Sequence, residues 1–505
     1  MKRTIHTGKV YTKSLLLLVA LLLSGVLSGC KDFLTMTPRG EKVLRTAEDY
    51  RDVLGSFLRM MSVPNCPQFA PLFGVDNFAM PYFRLSTLLS VYSMEMQLDD
   101  TQGSRFYDAK ANAYNSQGHD YLAWTSSDDE VWMWYNSMLG PLNLIVSDID
   151  NMIITDPNVR NMVMGEALVW RAFGYYKLLQ YYSPYEDNQM GVPMFLDPTD
   201  DAGNAMPPRQ TQKKVFHQII KDLETANELL DKTARQPYNF ALRRDFIYAF
   251  LADVYWYKAD SGAKESSDWS NALSYAQKAM KGRTLVNTSE KLSDIFDIGS
   301  GKTERIFEND EFFLRIADGA NGQKMNFIES YVKSTTNGYL EPAFRDLYTD
   351  EDIRKAAYIT PEGRLKKYNL ASVSSYWSGF GVYMPFRLAD AYLIAAEAAA
   401  RLGQKDLSAE ILGQFVAARY TTTHPVPTNI DELLREIRTE RKKEFLAEID
   451  ATWIAMKRYQ EEVTRLVGGK EYHLDGNDFR YSFPIPRFEL DKNKAMTQNP
   501  GWRRK

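Results

Sequence analysis

The chain has 505 residues, of which 44% are hydrophobic and 25% are charged, a composition typical of a water-soluble globular protein. Its formal net charge of −4 at pH 7 argues against the basic face that nucleic-acid binding requires, so no nucleic-acid partner is expected. The only two cysteines, Cys30 and Cys66, cannot form a disulfide framework. The aromatic content of 13% favours thick helical cores and leaves some aromatic residues for ligand surfaces.

The first 29 residues have the pattern of a secretory signal peptide. Four basic residues precede an apolar run, Leu15–Leu27, that is shorter than the roughly 20 residues a membrane-spanning helix needs. The sequence LSGC that ends at Cys30 resembles the bacterial lipobox, which implies cleavage before Cys30 and a lipid on its thiol. We therefore expect a lipid-anchored tether over residues 30–45 and a single domain over 46–505. The alternative is an ordinary signal peptide with a chance cysteine. Cys66 is then a lone thiol, expected to be buried and inert.

Helical segments follow in chain order, beginning with 132–152 and 166–182. The second of these places Leu168, Arg171, Ala172 and Tyr175 loosely at tetratricopeptide spacing. Its predicted partner helix is 215–230, after an insertion. Segment 132–152 is expected to belong to a fourth pair.

Two later segments fit the tetratricopeptide pattern better. Segment 247–260 has Tyr248, Leu251, Ala252 and Tyr255 at the required positions, and its predicted partner is 268–280. Segment 387–402 repeats the pattern with Tyr392, Ala395, Ala396 and Ala399, and Gly403 is expected to end that helix at the C′ position. The sequence thus predicts a mainly α fold of about four tetratricopeptide-like pairs. Long loop-rich insertions with a few short strands are expected near 62–130, 183–210 and 284–384, and one possible strand lies in 305–316.

Motifs for catalysis are weak or absent. The stretch GSGKT at 299–303 is not a phosphate loop, because the first glycine of that motif would be position 296, which is Phe. The histidines outside the signal have no metal-type spacing, and no GxSxG sequence is present. We therefore expect no catalytic residue, no metal, no cofactor and no enzymatic activity.

The stretch RTERKKEFLAE at 438–448 places Glu440, Glu444 and Glu448 on one face of a predicted helix. A salt-bridged exposed helix is one interpretation of this pattern, and a buried structural role is the other.

Several segments together resemble the SusD/RagB family of outer-membrane nutrient-binding lipoproteins. The resemblance begins at CKDFLTMTP (30–38), includes the helical segments above and MGVPMF (190–195), and ends at FPIPRFELDKNKAMTQNPGW (483–502). It favours the buried role for 438–448. After Glu448 the family usually has Gly followed by an aromatic-Asp-Leu stretch, whereas this chain has IDATWIAMKRY at 449–459. The resemblance implies tetratricopeptide-like pairs decorated by a loop-rich part.

The resemblance also implies a function without catalysis. The expected protein captures a nutrient at the cell surface, commonly a glycan, and delivers it to a SusC-type TonB-dependent transporter. The expected partners are therefore that transporter, a glycan or another nutrient, and the membrane through the lipid.

Ligand contacts are predicted from chemistry, because sugar rings stack on exposed aromatic side chains. The insertions offer three aromatic pairs: Tyr82 and Phe83, Tyr121 and Trp124, and Tyr376 and Trp377. The last pair is preferred, because Gly379 and Gly381 next to it indicate an exposed, bendable loop. Packing beneath loops is the alternative for each pair. For the whole chain, the alternatives are a helical-repeat protein-interaction scaffold and a surface glycosidase.

Overall fold

The computed structural model describes the chain in segments. They are 44–62, 89, 93–96, 127–196, 206–231, 242–296, 310–314, 316–317, 339–367, 382–383, 385–467 and 470–502. Every structural statement below refers to these residues.

The framework consists of packed helix pairs. The first pair is α1 (Ala47–Ser62) with α2 (Ser127–Asp148), and the second is α3 (Pro157–Tyr182) with α4 (Gln212–Asp231). The third is α5 (Arg244–Lys258) with α6 (Asp268–Met280), and the fourth is α10 (Leu388–Arg401) with α11 (Lys405–Ala417). Successive pairs pack through α2 on α3, α4 on α5 and α6 on α10. The mainly α fold with tetratricopeptide-like pairs is confirmed.

Small residues allow neighbouring helix pairs to approach each other closely. Ala272 and Ala276 on α6 and Ala395 and Ala399 on α10 are fully buried, and α6 packs directly on α10. Aromatic side chains fill the space beside them, and Trp170 on α3 is 2% exposed. Burying one such side chain stabilises the fold by roughly 1.5–3 kcal/mol.

Gly403 ends α10 as expected. Its φ is +75°, the left-handed region that favours glycine, and its N–H donates to the carbonyl of Ala400. The chain then turns into α11, whose residues Ile411, Leu412 and Phe415 face the core.

Among the described residues between α6 and α10 are three short helices that were not predicted from the sequence. They are α7 (Ser289–Phe296), α8 (Pro342–Arg345) and α9 (Ile353–Tyr358), and α7 packs against α9. Within the described part of the expected strand, extended structure is found at Ile316, which belongs to β1 (Ile316–Ala317) and pairs antiparallel with β2 (Val382–Tyr383). Residues 305–309 lie outside the described segments. Residues 310–314 are not extended strand, so the prediction over 305–316 was wrong for this part. Their backbone is held by side chains of the framework instead of by a neighbouring strand.

The C-terminal part adds α12 (Ile430–Glu444), α13 (Ala451–Tyr459), a hairpin and α14 (Arg487–Lys492). The hairpin pairs β3 (Val463–Val467) with β4 (Lys470–Leu474), and Val463 lies opposite Leu474. It was not predicted from the sequence, although two alternating runs separated by Gly-Gly are its usual signal. Within the described segments, no helix combines the length and apolar character needed to cross a membrane.

Candidate functional site

The residues predicted to carry lipid or ligand lie outside the described segments. They are Cys30, Tyr82, Phe83, Tyr121, Trp124, Tyr376 and Trp377. Their positions relative to one another therefore stay a prediction. The structure does show how the framework holds the ends of the insertion that carries Tyr376 and Trp377.

The C-terminal end of the preferred loop leads directly into regular structure. β2 begins at Val382, immediately after Gly381, and pairs with Ala317 of β1. Phe386 follows and stacks on Phe250 of α5, with ring centroids 4.4 Å apart. Trp377 is thus five residues from a strand whose connection to α10 is packed into the core.

A buried cluster of charged residues joins described parts of this insertion to the framework, and we call it the ion cluster. It contains five acidic and five basic residues, so its formal charge is balanced. Its members are Glu311, Asp352, Arg354, Lys367, Arg387, Arg419, Glu440, Lys443, Glu444 and Glu448. All are buried except Glu448, whose side chain is 12% exposed.

Glu444 lies at the centre of the ion cluster. Its carboxylate lies 2.9 Å from Nε of Arg419, 3.0 Å from Nη1 of Arg387 and 3.4 Å from Nη1 of Arg354. Burial alone would raise the pKa of Glu444, but the charges of the three arginines outweigh it and hold the pKa far below its ordinary value. Glu444 is therefore ionised at physiological pH.

The ion cluster fixes both ends of the insertion to the framework. Glu311, near the first end, accepts from Arg419 at 2.6 Å and from Arg387 at 3.2 Å, and Arg387 is the N-cap residue of α10 at the second end. Lys367, between them, donates to Glu448 at 2.6 Å. Burial lowers the pKa of Lys367 to about 8, although Glu448 opposes the shift. The buried interpretation of 438–448 is confirmed, since Glu440 and Glu444 are both fully buried.

The departure from the family pattern after Glu448 has a structural counterpart. Ile449 has a φ of +48°, and Ala447 has a φ of +57°. The left-handed region is costly for a β-branched residue and easy for glycine. A glycine at this position would fit the backbone better than the isoleucine that this chain carries.

Three of the family-like segments meet at the C-terminal end of α3. Lys457 donates from Nζ to the carbonyls of Gln180 and Ser183, both at 2.7 Å. Arg209 donates to the carbonyls of Met190 and Gly191 in the MGVPMF segment and to Oδ1 of Asn499 near the C-terminus. Burial lowers the pKa of Arg209 to about 10. Side-chain donors at this helix end satisfy its last carbonyls, so these motifs serve the fold.

One group of possible metal ligands exists among the described residues: His424, Glu436 and Glu440. Glu440, however, accepts from Nη2 of Arg354 at 2.5 Å and from the hydroxyl of Tyr420 at 2.7 Å. His424 lies 2.9 Å from Glu436. These contacts account for the three side chains, and a cation beside Arg354 would be repelled.

These features define a class of protein: a framework of tetratricopeptide-like helix pairs whose buried ion cluster holds a large insertion. Solved structures with a similar fold cover most of the chain. A SusD superfamily protein from Bacteroides thetaiotaomicron covers 90% of this chain and all of its own, with a TM-score of 0.68 and 18% identity. A SusD-like carbohydrate binding protein from Bacteroides vulgatus covers 90% of this chain and 98% of its own, with a TM-score of 0.66 and 19% identity.

Family models match both halves of the sequence. Residues 85–256 match a SusD-like model described as starch-binding associating with outer membrane, and residues 364–502 match the SusD family model. The SusD-like protein P38 of Formosa agariphila is 23% identical over 379 residues, which are 65% of this chain and 72% of that protein. The chain belongs to the SusD/RagB family.

Proposed function

We propose that this protein is a lipid-anchored surface protein of the outer membrane that binds an oligosaccharide. We further propose that it delivers the oligosaccharide to a SusC-type TonB-dependent transporter and performs no chemistry on it. The observation that carries the proposal is the match of both halves of the chain to SusD models, one of them described as starch-binding and outer-membrane associated. The Bacteroides vulgatus structure, described as a carbohydrate binding protein, supports the same ligand class.

The proposed ligand surface is the loop that contains Tyr376 and Trp377. The strand pairing of β2 and the stacking of Phe386 on Phe250 give the loop a fixed base. Two large aromatic rings on such a loop are suited to stacking on sugar rings, which are apolar on their faces. The other proposed surfaces, around Tyr82 and Phe83 and around Tyr121 and Trp124, lie in the insertion between α1 and α2.

Calorimetric titration of the mature protein with a panel of oligosaccharides tests the ligand class. For a glycan that binds, Trp377→Ala should weaken affinity by about 2- to 13-fold, since aromatic stacking contributes on the order of 0.5–1.5 kcal/mol. Trp269→Phe is the matched control, because Trp269 is a partly buried framework residue that lies outside this insertion. Unchanged affinity after Trp377→Ala would rule out this loop as the site, and the other aromatic pairs would then be tested.

The anchor and the absence of catalysis have separate tests. Cys30→Ser should move the protein from the membrane fraction to the soluble fraction, because the acyl chains that hold it there would be missing. Cys66→Ser is the control and should leave the protein in the membrane fraction. Analysis of the oligosaccharide after prolonged incubation should recover it intact. Shortened products formed by the purified protein would favour the glycosidase alternative.

A further inference from the structure

Two neighbouring isoleucines, Ile153 and Ile154, are exposed in the turn between α2 and α3, and we call them the isoleucine pair. Their exposed fractions are 63% and 40%. Only two other large hydrophobic side chains among the described residues are exposed, Phe195 and Met206. Single exposed apolar side chains are common on protein surfaces, but two adjacent ones in a fixed turn call for an explanation.

The backbone of the turn is held in place by the start of the described chain. The N–H of Ile153 donates to the carbonyl of Arg45 at 2.9 Å, and the N–H of Ala47 donates to the carbonyl of Ile153 at 3.3 Å. The hydroxyl of Thr155 donates to the carboxylate of Glu48 at 2.5 Å. A surface that is already ordered loses little conformational entropy on binding, so the isoleucine pair is suited to contact a partner.

The fold does not use the isoleucine pair as part of its core. Ile149, in the same turn, is fully buried, and Met152 packs against the core. These two residues anchor the turn from inside. The isoleucine pair therefore adds apolar surface that the protein itself leaves uncovered in the described structure.

The chain enters the described fold beside the isoleucine pair. Leu44 is the first described residue, and the next residue, Arg45, bonds directly to Ile153. In the proposed function Cys30 carries the lipid, and Leu44 follows it by 14 positions, which span at most about 50 Å when fully extended. The tether thus keeps the isoleucine pair near the membrane and raises its effective concentration toward a membrane-embedded partner.

The charges beside the isoleucine pair favour a protein over the lipid surface as this partner. Residues 44–52 and 148–160 contain six acidic and three basic residues, a net charge of −3. Asp52 and Asp150 are among them, and their side chains are 61% and 63% exposed. This charge repels the phosphates of lipid head groups, whereas a protein can place basic side chains opposite it. An apolar centre with a charged rim is the usual arrangement of a protein interface.

We propose that the isoleucine pair docks this protein onto the membrane-embedded transporter of the proposed function. The complementary surface of the transporter is an apolar pocket with a basic rim. The proposal rests on the proposed function, because the partner is the same transporter, and it adds which part of this chain the transporter contacts. The docking site involves the turn between α2 and α3 and none of the residues proposed to contact the oligosaccharide.

Binding of the mature Cys30→Ser protein to the purified SusC-type transporter in lipid nanodiscs tests the proposal, with Kd measured by biolayer interferometry. Without its lipid, the protein is held only by contacts with the transporter. The double variant Ile153→Thr/Ile154→Thr keeps β-branched side chains and so the backbone preference of the turn. It should weaken binding at least tenfold, because two isoleucines lose apolar contacts with the transporter.

Met206→Thr is the matched control. Met206 is 42% exposed, but it precedes Pro207, whose carbonyl accepts from Asn493 near the C-terminus and not from the turn between α2 and α3. This control should bind the transporter like the Cys30→Ser protein. Raising the salt concentration from about 0.05 to 0.5 M should weaken binding, because the acidic rim faces basic side chains. Binding that is independent of salt would overturn the charge complementarity on which the choice of a protein partner rests.

The remaining outcomes separate this proposal from the proposed function. The double variant should fold, because both isoleucines are exposed, and an unchanged midpoint of urea unfolding checks this. Unchanged transporter binding in the double variant, or an equal loss in Met206→Thr, would overturn this proposal and leave the proposed function intact. Binding to empty nanodiscs of phosphatidylglycerol that the double variant loses would show a lipid contact and would also overturn it. Binding of oligosaccharide but of no transporter by the Cys30→Ser protein would refute the delivery step and this proposal together.

Discussion

The central role of Glu444 in the ion cluster gives the most direct test of how the insertion is held. Glu444→Gln keeps the shape of the side chain and removes one negative charge from a site where it meets three guanidinium groups. The remaining partners do not compensate fully. Arg387 keeps its two bonds to Glu448, but Arg419 is left to share the carboxylate of Glu311 with Arg387. The cluster changes from balanced to one excess positive charge in a fully buried place.

Breaking a buried ion pair by removing one partner costs about 3–5 kcal/mol. Whole domains are stable by about 5–15 kcal/mol, so Glu444→Gln should remove a large part of the free energy of unfolding. Urea denaturation followed by circular dichroism measures the loss as a lower midpoint at unchanged slope. Asp350→Asn is the control, because Asp350 is 89% exposed in its pair with Lys355, and its effect should stay within about 0.5 kcal/mol.

The stability that Glu444 contributes should decrease as the pH falls. The pKa of Glu444 is depressed in the folded state, so its contribution exists above the unfolded pKa of about 4.3 and is lost as the pH falls through the folded pKa. The difference in free energy of unfolding between the wild type and Glu444→Gln should therefore become smaller below about pH 4.3. A loss of less than about 1 kcal/mol at pH 7 would refute the idea that this charge stabilises the cluster.

Four further substitutions test other parts of the structure. Gly403→Ala should cost about 1–2 kcal/mol for backbone strain alone, since its φ is +75° and nothing lies within 4 Å of an added Cβ. Gly413→Ala inside α11 should instead stabilise by about 0.5–1 kcal/mol, and thermal unfolding of both variants compares the two. Gln460→Gly should raise Tm by relieving a φ of +53° at an exposed helix end; a lower Tm would contradict this. Burial and the charge of Asp390 raise the pKa of Asp253 to about 7. The wild-type free energy of unfolding should therefore fall as the pH rises from about 4 to 7, and urea titrations of Asp253→Asn should show a smaller fall.

The helix pairs could be predicted from the sequence because their signal is local. The spacing of Tyr392, Ala395 and Ala399 reflects one turn of an α-helix, and Gly403 marks a conformation that glycine adopts easily. The family could be recognised from its motifs, because they occur along the chain in the family's order. The hairpin over Val463–Leu474 was also visible in its alternating residues and Gly-Gly turn, and was missed.

The ion cluster depended on the tertiary structure. Glu311 and Glu444 are 133 positions apart, and no spacing rule relates them; only the packing of α12 under the insertion brings their carboxylates to the same arginines. The same pattern of charges in 438–448 is compatible with an exposed helix, and burial is a property of what packs against it. The sequence alone determined the helical framework and the family, because helical periodicity and short motifs depend on residues that are close together in the chain. Which charges are buried together was decided by contacts between distant segments.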